Sequence, residues 1–347
     1  MKALRVMGLL LLALLLLAGV AGALLLREYR RFTTTAFGTP DEKVIEITPG
    51  ATLANVATAL EAAGIVADGE RFYIYARLQH ADRKLKRGEY AFAGPLTPPQ
   101  VLDLIVSGKV KTYRVTVAEG LRIDEIAPIF ETAGVASAAK LMAAAHDRVL
   151  LRKLGLEGES AEGFLFPDTY VLPKGRSEAS LIEEMVAHFR KAYTEAKAQA
   201  DPRVHFTELQ AASLASIIEK ETGNPEERPH ISCVFHNRLK LGMKLQTDPT
   251  VIYAHILATG SFDGNITKAM LLEPHPYNTY TVTGLPPGPI ASAGAAALAA
   301  ALHPSVCKDL FFAARGSGGR HTFCQDLACH NAVVEKFLMG PTRSGTR

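Results

Sequence analysis

The chain has 347 residues, of which 48% are hydrophobic and 21% are charged. This composition supplies apolar side chains for folded cores and excludes a disordered chain, and the length favours two or three modules. The formal net charge of +3 is small for a chain of this size. It does not favour nucleic-acid binding, which usually requires a concentration of Lys and Arg.

The N-terminal segment carries no charge over residues 6–26 and consists mainly of Leu, Ala and Gly. At about 1.5 Å per residue, a helix of this length crosses the roughly 30 Å hydrocarbon core of a bilayer. A cleaved signal peptide is the alternative, because small residues at 18–23 offer a cleavage site, but its apolar region is usually only about 7–15 residues long. We therefore expect residues 1–31 to form a single transmembrane anchor and residues 32–41 to form a linker.

An internal repeat follows at an offset of 70 residues. In the first copy an alternating strand pattern at 44–47 precedes Gly50, and helical apolar spacing at 53–60 ends at Gly64. In the second copy the same order occurs at 114–117, Gly120, 123–130 and Gly134. Each copy predicts a strand, a glycine turn and an amphipathic helix. Such a unit can be a small glycan-binding fold or plain scaffold, so the repeat leaves its own function open.

The remaining elements are predicted from periodicity and from the positions of Gly and Pro. Helical patterns occupy residues 72–79, 98–107, 138–151, 178–200, 209–221 and 231–241, and a short strand occupies 90–92. After residue 241 the chain is rich in loop-forming residues, with a strand at 309–314 and a hairpin around the glycines at 316–319. Helices with intervening short strands predict an α+β fold.

The four cysteines do not form the usual zinc-binding pattern. His321, Cys324, Cys329 and His330 lie close together, but their spacing lacks the paired C-x2-C arrangement of structural zinc sites. Disulfide bonds or isolated buried thiols account for the cysteines more simply, so we predict no metal site.

The helix predicted at 209–221 contains the candidate acid. Glu219 follows two isoleucines and shares a helical face with Ala215 and Ser216. Glu221 lies about 200° further round the helix axis, so the two carboxyl groups should point in different directions. An apolar environment keeps a carboxyl group protonated near neutral pH, as a general acid requires. We expect Glu221, which precedes a polar turn, to be more hydrated; alternatively, both are ordinary solvated residues at a helix end.

Two predicted loops carry amides, hydroxyls and aromatic rings of the kinds that recognise sugars. The candidate residues are Gln246, Asp248, Asn278 and Tyr280. Ordinary turn chemistry is the alternative, because these residue types also bond to neighbouring backbone groups. Asp168 is a possible second carboxylate. The chain has no nucleophile elbow, P-loop or H-E-x-x-H motif, which argues against serine hydrolases, nucleotide-binding enzymes and metalloproteases.

Several segments resemble the endolytic murein transglycosylases, the YceG-like family. The resemblance lies in the strings LASIIEKET (214–222), NRL (237–239), LQTDPTVIY (245–253), YNTY (277–280), GLPPGPI (284–290), HTF (321–323), HN (330–331) and EGFLFPDTY (162–170). It covers nearly the whole chain after the anchor. It implies a LysM-like subdomain at 42–110, a catalytic domain at 111–340 that includes the second repeat copy at 114–135, and a tail at 341–347.

The resemblance also implies a reaction. The family cleaves the β-1,4 bond between N-acetylmuramic acid and N-acetylglucosamine in nascent peptidoglycan, forms 1,6-anhydro ends and so limits glycan length. By resemblance, Glu219 is the single acid and base, and no cofactor is needed. Two alternatives remain open at this point. One is a hydrolytic muramidase that activates water with Asp168 or Asp248, and the other is a non-catalytic peptidoglycan-binding scaffold.

A location and partners follow from the same resemblance. The anchor would cross the bacterial inner membrane once, with the N-terminal tip in the cytoplasm and the catalytic domain on the periplasmic side. Glycan strands would be the substrate, and peptidoglycan synthases (penicillin-binding proteins) are the expected protein partners.

Overall fold

The protein is described by a computed structural model that covers residues 2–315 and 319–337. Its helices and short antiparallel strands confirm the predicted α+β class. The chain divides into two compact units. The smaller unit comprises Met1–Tyr113 with Pro173–Gly175, and the larger comprises Arg114–Leu172 with Arg176–Arg347. The predicted tail at 341–347 and the end of the predicted catalytic domain lie outside the described residues.

The N-terminal helix α1 spans Lys2–Thr34, so it continues three residues into the predicted linker. Its segment Arg5–Thr34 is long and apolar enough to cross a membrane. The leucines along this segment are exposed, Leu25 by 72%, whereas most large apolar side chains elsewhere in the described chain lie in a core. Over residues 6–26 the helix is apolar all round and exposed, which is the surface that a bilayer requires, whereas Phe32 at its C-terminal end packs against Tyr75.

The smaller unit packs three helices against a two-stranded sheet. Strands β1 (Lys43–Ile47) and β2 (Gly88–Phe92) are antiparallel, with Ile45 opposite Tyr90. The helices are α2 (Leu53–Ala62), α3 (Gly69–Leu78) and α4 (Pro98–Ser107). Helix α2 begins at Thr52, whose hydroxyl accepts a hydrogen bond from the Asn55 N–H at 3.2 Å.

The larger unit is mostly helical. The strand β3 (Thr112–Thr116), which begins at the boundary of the smaller unit, pairs with β4 (Thr169–Pro173). The helices are α5 (Ile123–Thr132), α6 (Ala138–Ala145), α7 (Arg148–Leu154), α8 (Glu178–Ala198), α9 (Glu208–Glu221), α10 (Arg228–Lys240), α11 (Asp248–Thr259), α12 (Lys268–Leu272), α13 (Ala295–Leu302) and α14 (Leu327–Phe337). Strands β5 (Phe311–Ala314) and β6 (His321–Cys324) form an antiparallel pair.

The predicted repeat is confirmed as a structural repeat. Each copy has a strand, a glycine turn and a helix, namely β1 with α2 and β3 with α5. The turn glycines Gly50 and Gly120 have φ values of +82° and +78°, which an L side chain adopts only with strain. The apolar positions that the repeat predicts on the two helices are all buried.

Two of the predicted elements are wrong in extent. The helix expected over 138–151 is two helices, because Asp147 ends the first and caps the second by accepting from the Val149 N–H at 2.8 Å. The region after residue 241 was expected to be loop-rich, yet it contains α11, α12 and α13. Pro249 stands in the first turn of α11, where a missing N–H costs nothing. Helix α13 consists entirely of Ala and Leu and therefore shows no alternation of polar and apolar residues.

The C-terminal hairpin is confirmed by the pairing of Phe312 with Phe323. Residues 316–318, where the turn of this hairpin is predicted, lie outside the described residues. All four cysteines form disulfide bonds, Cys233 with Cys307 and Cys324 with Cys329. The first of these bonds ties α10 to the segment that leads into β5.

Candidate active site

Helix α9 carries the candidate acid on its last turn. The helix begins with a capping box, in which the Thr207 hydroxyl accepts from the Gln210 N–H at 3.2 Å and the Gln210 side chain accepts from the Thr207 N–H at 3.0 Å. Residues 211–218 are all buried, so neighbouring elements hold the helix on every side. Glu219 follows directly, at the C-terminal end, where the helix macrodipole disfavours a negative charge.

Two donors from other elements hold the Glu219 carboxyl group. Arg228 Nη2, at the start of α10, donates to Oε1 at 2.6 Å, and the Gly294 N–H donates to Oε2 at 3.0 Å. The Glu219 side chain is only 6% exposed. Burial raises the pKa of Glu219, and this effect exceeds the opposing effects of the Gly294 hydrogen bond and the Arg228 charge. The group therefore retains its proton to a higher pH than an ordinary Glu, while its two donors can stabilise the carboxylate once the proton has left.

A side chain at position 294 would displace the half-exposed carboxylate of Glu119. A Cβ atom there would lie 1.8 Å from Oε1 of Glu119, which is impossible without a shift of the backbone or of that carboxylate. Gly294 is also the N-cap of α13. Its N–H and the positive end of that helix thus face the Glu219 carboxylate, an arrangement that favours a negative charge.

The glycine turn of the second repeat copy lies beside this group. The Lys220 ammonium donates to the Gly120 carbonyl at 3.1 Å, and the Gly120 N–H donates to the Ser292 carbonyl at 2.8 Å. Glu119, the residue before this glycine, has its Oε2 atom 3.7 Å from the Arg228 Nη2 that also binds Glu219. The Glu119 side chain is 49% exposed. The second repeat copy thus contributes a second carboxylate to the surroundings of Glu219.

The expectation that Glu221 is hydrated is wrong. Its Oε1 atom accepts a hydrogen bond from the Thr247 hydroxyl, and burial raises the pKa of Glu221 to about 7. The sequence context suggested exposure because a polar turn follows, but the start of α11 covers this side of α9. The two carboxyl groups do bind different elements, as the helical spacing predicts.

The four predicted saccharide contacts lie in one cluster. Asp248, the first residue of α11, accepts a hydrogen bond from the Tyr280 hydroxyl at 2.7 Å. Gln246 is exposed and has a φ of +49°, a strained conformation for a residue with a side chain. Its N–H donates to the Thr279 carbonyl at 3.2 Å. Through the Thr247–Glu221 hydrogen bond this cluster adjoins the last turn of α9.

Asn278 differs from its three neighbours because it is only 1% exposed. Its side-chain amide nitrogen lies within hydrogen-bond distance of the carbonyls of Met270, Leu271 and Glu273, and its side-chain oxygen accepts from the Tyr280 N–H at 3.0 Å. These bonds fix the loop that presents Tyr280.

Asp168 lies in a different environment. It is 45% exposed and forms a hydrogen bond of 2.9 Å with His188 on α8. Its backbone carbonyl accepts from the Val117 N–H at 2.9 Å, which joins the segment before β4 to the end of β3. These partners belong to other elements than those that hold Glu219.

Sequence reasoning missed Glu119, Arg228 and Gly294. Arg228 and Gly294 are nine and 75 positions from Glu219, and no local pattern predicts those contacts. For Glu119, the sequence does contain an indication. The first repeat copy has Pro49 at the equivalent position before its glycine, so the acidic residue is a departure from the repeat.

The fold and the site together define an α+β protein with an N-terminal apolar helix and a buried carboxyl group, Glu219, whose raised pKa and two donors suit acid–base chemistry. The model of the YceG-like family matches residues 45–336, so the chain belongs to the YceG-like family, as its motifs predict.

Named relatives agree with this assignment. The chain is 30% identical over 311 residues to the endolytic murein transglycosylase of Bacillus subtilis, covering 85% of this chain and 84% of that protein. It is 27% identical to the endolytic murein transglycosylase of Streptococcus pneumoniae, of which it spans 58%. A crystal structure of a YceG-like protein from Listeria monocytogenes is 28% identical, with a TM-score of 0.53 over 85% of this chain and 99% of that one.

Proposed function

We propose that the protein is an endolytic lytic transglycosylase that cuts the β-1,4 bond between N-acetylmuramic acid and N-acetylglucosamine in peptidoglycan strands. The observation that carries the proposal is the buried Glu219 carboxyl group, whose pKa burial raises and which Arg228 and the Gly294 N–H bind. The printed names of the Bacillus and Streptococcus relatives support the same reaction.

The reaction needs one group that first gives and then takes a proton. Protonated Glu219 donates its proton to the glycosidic oxygen as the bond from that oxygen to C1 of muramic acid breaks. The resulting carboxylate then accepts the proton of the muramic acid C6 hydroxyl, whose oxygen bonds to C1 and closes the 1,6-anhydro ring. The proton balance is zero and no water enters. This differs from ordinary glycosidases, which use two carboxyl groups.

The environment of Glu219 suits both steps. Burial favours the protonated form that begins the reaction. Arg228 and the N-terminal end of α13 stabilise the carboxylate that exists between the two proton transfers. Neither donor has to move when the proton leaves, so this electrostatic stabilisation is preorganised.

Substrate contacts are part of the proposal. The side chains of Gln246, Asp248 and Tyr280 offer an amide, a carboxylate and an aromatic ring to saccharide units beside α9. We propose that Asn278 supports these contacts indirectly, because its buried amide holds the loop that carries Tyr280.

The location is likewise a proposal. An apolar helix over Arg5–Thr34 suits a single-pass anchor in the inner membrane, with the N-terminal tip in the cytoplasm. The two disulfide bonds suit an oxidising compartment, which favours the periplasmic side for the larger unit. By family resemblance the smaller unit is a LysM-like module, and the enzyme acts on nascent strands beside peptidoglycan synthases and limits their length.

The test is mass spectrometry of peptidoglycan strands digested by the full chain in detergent. We expect 1,6-anhydro-muramic acid ends from the wild type, and a loss of at least about 100-fold in their rate of formation with Glu219→Gln, which keeps the shape but has no proton to give. Glu221→Gln is the matched control on the same helix turn and should retain most of the activity.

Three other outcomes would contradict the proposal. Hydrated reducing ends would indicate a muramidase. Strand binding without any cleavage would indicate a scaffold. Loss of activity in Glu221→Gln but not in Glu219→Gln would show that Glu221, and not Glu219, is the acid.

A further inference from the structure

The larger unit contains a cavity of about 770 Å³ whose lining does not include Glu219 or the proposed saccharide contacts. The start of α5, the loop at 157–162, one face of α11 and the segments around Tyr277 and Pro289 form its walls. Its volume lies within the range of about 300–1,000 Å³ that ligand pockets usually have.

The charges that line the cavity are mostly negative. Glu157, Glu159 and Glu162 line it, together with Asp124. Among the described residues of the lining, Arg122 is the one Lys or Arg, and it binds Asp124 through two hydrogen bonds of 2.9 Å. Arg148, outside the lining, lies 4.0 Å from Glu159, so among the described residues Glu157 and Glu162 are the lining carboxyl groups without an ion pair to Lys or Arg. Such a surface repels anionic ligands and attracts cationic ones.

Glu162 has an unused acceptor atom. The residue is 7% exposed, and its Oε2 atom accepts from the Ile123 N–H at 3.4 Å and lies 3.5 Å from the Tyr253 hydroxyl. Its Oε1 atom is buried and has no hydrogen-bond partner among the residues that the structure describes. A buried acceptor without a donor destabilises the folded protein, so a ligand that brings a donor is favoured.

Aromatic rings form another wall of the cavity. The ring centroids of Tyr253 and Tyr277 are 4.9 Å apart at an interplanar angle of 60°, and His275 lies 5.9 Å from Tyr277. The faces of aromatic rings attract ammonium groups, and they do so more strongly where water is excluded. A buried carboxyl group beside such rings has the chemistry of an ammonium-binding site.

We propose that this cavity binds a free primary amine of the substrate, the side-chain amine of a diamino acid in the peptide stems of peptidoglycan. The proposal rests on the function proposed above. An ammonium group would donate to Glu162 Oε1 and lie against the tyrosine rings. Cross-linking converts this amine into a neutral amide, so a site of this kind selects strands that have not yet been cross-linked.

The chain connection sets an upper limit on the distance between the cavity and the cutting site. The chain runs from Pro289 on the cavity wall to Gly294 at Glu219, and five residues span at most about 18 Å. Three extended residues of a stem cover about 10 Å before the side chain of the diamino acid is added.

The experiment compares two substrates for the full chain in detergent. One is a set of uncross-linked strands with free stem amines, and the other is the same strands after N-acetylation, which removes the positive charge. We expect acetylation to lower kcat/KM of the wild type about tenfold, mainly through KM. Glu162→Gln should cleave both substrates at the lower rate. Glu195→Gln, at an exposed position on α8, should discriminate as the wild type does.

Equal cleavage of both substrates by the wild type, or discrimination that survives in Glu162→Gln, would overturn this inference and leave the proposed function intact. If the wild type cleaves neither, the proposed function fails and this inference fails with it.

Binding can also be measured without catalysis. Calorimetry with the Glu219→Gln protein should detect a stem tripeptide with a free amine and not its N-acetyl form, and Tyr277→Ala should weaken that binding. Equal affinity for the two peptides would contradict the proposal even if Glu162→Gln fails to fold.

Discussion

The two copies of the repeat have the same local fold and different surroundings. At the first copy, a Cβ atom on Gly50 would meet nothing within 4 Å. At the second, a Cβ atom on Gly120 would lie 3.6 Å from Lys220 and 3.9 Å from Glu219. The residue before the glycine is Pro49 in the first copy and Glu119 in the second. One strand–turn–helix pattern therefore serves as an exposed turn in one unit and as a wall of the candidate active site in the other.

The starts of the two helices differ as well. Helix α2 begins with the Thr52 hydroxyl as its cap, whereas the first N–H of α5 donates to the carboxyl group of Glu162, which is 39 residues away. The start of α2 is thus capped by its own side chain, whereas α5 has both a local bond, from the Arg122 N–H to Glu125, and a distant buried acid. The predictions below test these differences, beginning with the largest effect.

The largest effect is expected from Glu162. Burial raises its pKa from 4.5 to about 7 in the folded state. Between pH 4.5 and about pH 7, the folded protein therefore binds a proton that the unfolded chain has released. The free energy of unfolding falls as the pH rises through this range. Glu162→Gln stays neutral, so at pH 8 it should be more stable than the wild type by at most about 3 kcal/mol.

Urea titration followed by hydrogen exchange of peptides from each unit measures this difference. At pH 4 the advantage of Glu162→Gln should disappear. Thr52→Ala is the matched change in the first copy, and it should cost about 1 kcal/mol in the smaller unit at both pH values. A Glu162→Gln protein whose stability relative to the wild type is the same at pH 4 and pH 8 would contradict the account of Glu162, since Glu221 also titrates near pH 7.

The two turn glycines provide a matched pair of variants. Gly50→Ala and Gly120→Ala both place a side chain at positive φ, so each should lose about 1–2 kcal/mol of stability. Only Gly120→Ala should lower kcat, by about tenfold. The alanine at position 120 relaxes its strained backbone by a shift. That shift moves the carbonyl that binds Lys220 and the N–H that binds Ser292, both beside Glu219. The rate of anhydro-end formation and the thermal midpoint measure the two effects, and equal losses of kcat would show that the copies do not differ in this respect.

The smallest effect is expected at Glu119. Its negative charge raises the pKa of Glu219, so Glu119→Gln should lower that pKa. The basic limb of the pH profile of kcat/KM, which reports loss of the Glu219 proton, should move to lower pH. The other charged groups that face Glu219 are Arg228 and Lys220, and both are unchanged in this variant. Glu195→Gln serves as the control, and a limb that stays in place or moves upward would exclude this role.

Elements with a clear period were predicted well from the sequence. The bounds of α4 agree, and those of α3, α8 and α9 agree within a few residues, because each has an amphipathic pattern with stop signals. Helices α11 and α13 were missed for opposite reasons. At the start of α11 a proline and polar residues resemble a turn, so the helix was not predicted. In α13 a uniform run of Ala and Leu gives no helical periodicity of polar and apolar residues.

The candidate site was predicted only in part. The spacing of Glu219 and Glu221 correctly indicated that they face different neighbours, but the sequence placed the more hydrated environment at Glu221, which α11 in fact covers. Exposure depends on what packs against a helix end, and local sequence does not contain that information.

The sequence by itself determined the apolar N-terminal helix, the repeat, the α+β class and the family, since each depends on residue types at short, regular spacing. Tertiary structure alone decided how Glu219 is held. Arg228, Gly294 and Glu119 come from three different elements, and the proton affinity of a buried carboxyl group is set by the balance of their charges against burial. That balance acts through space over a few ångströms, and it exists only once the chain has folded.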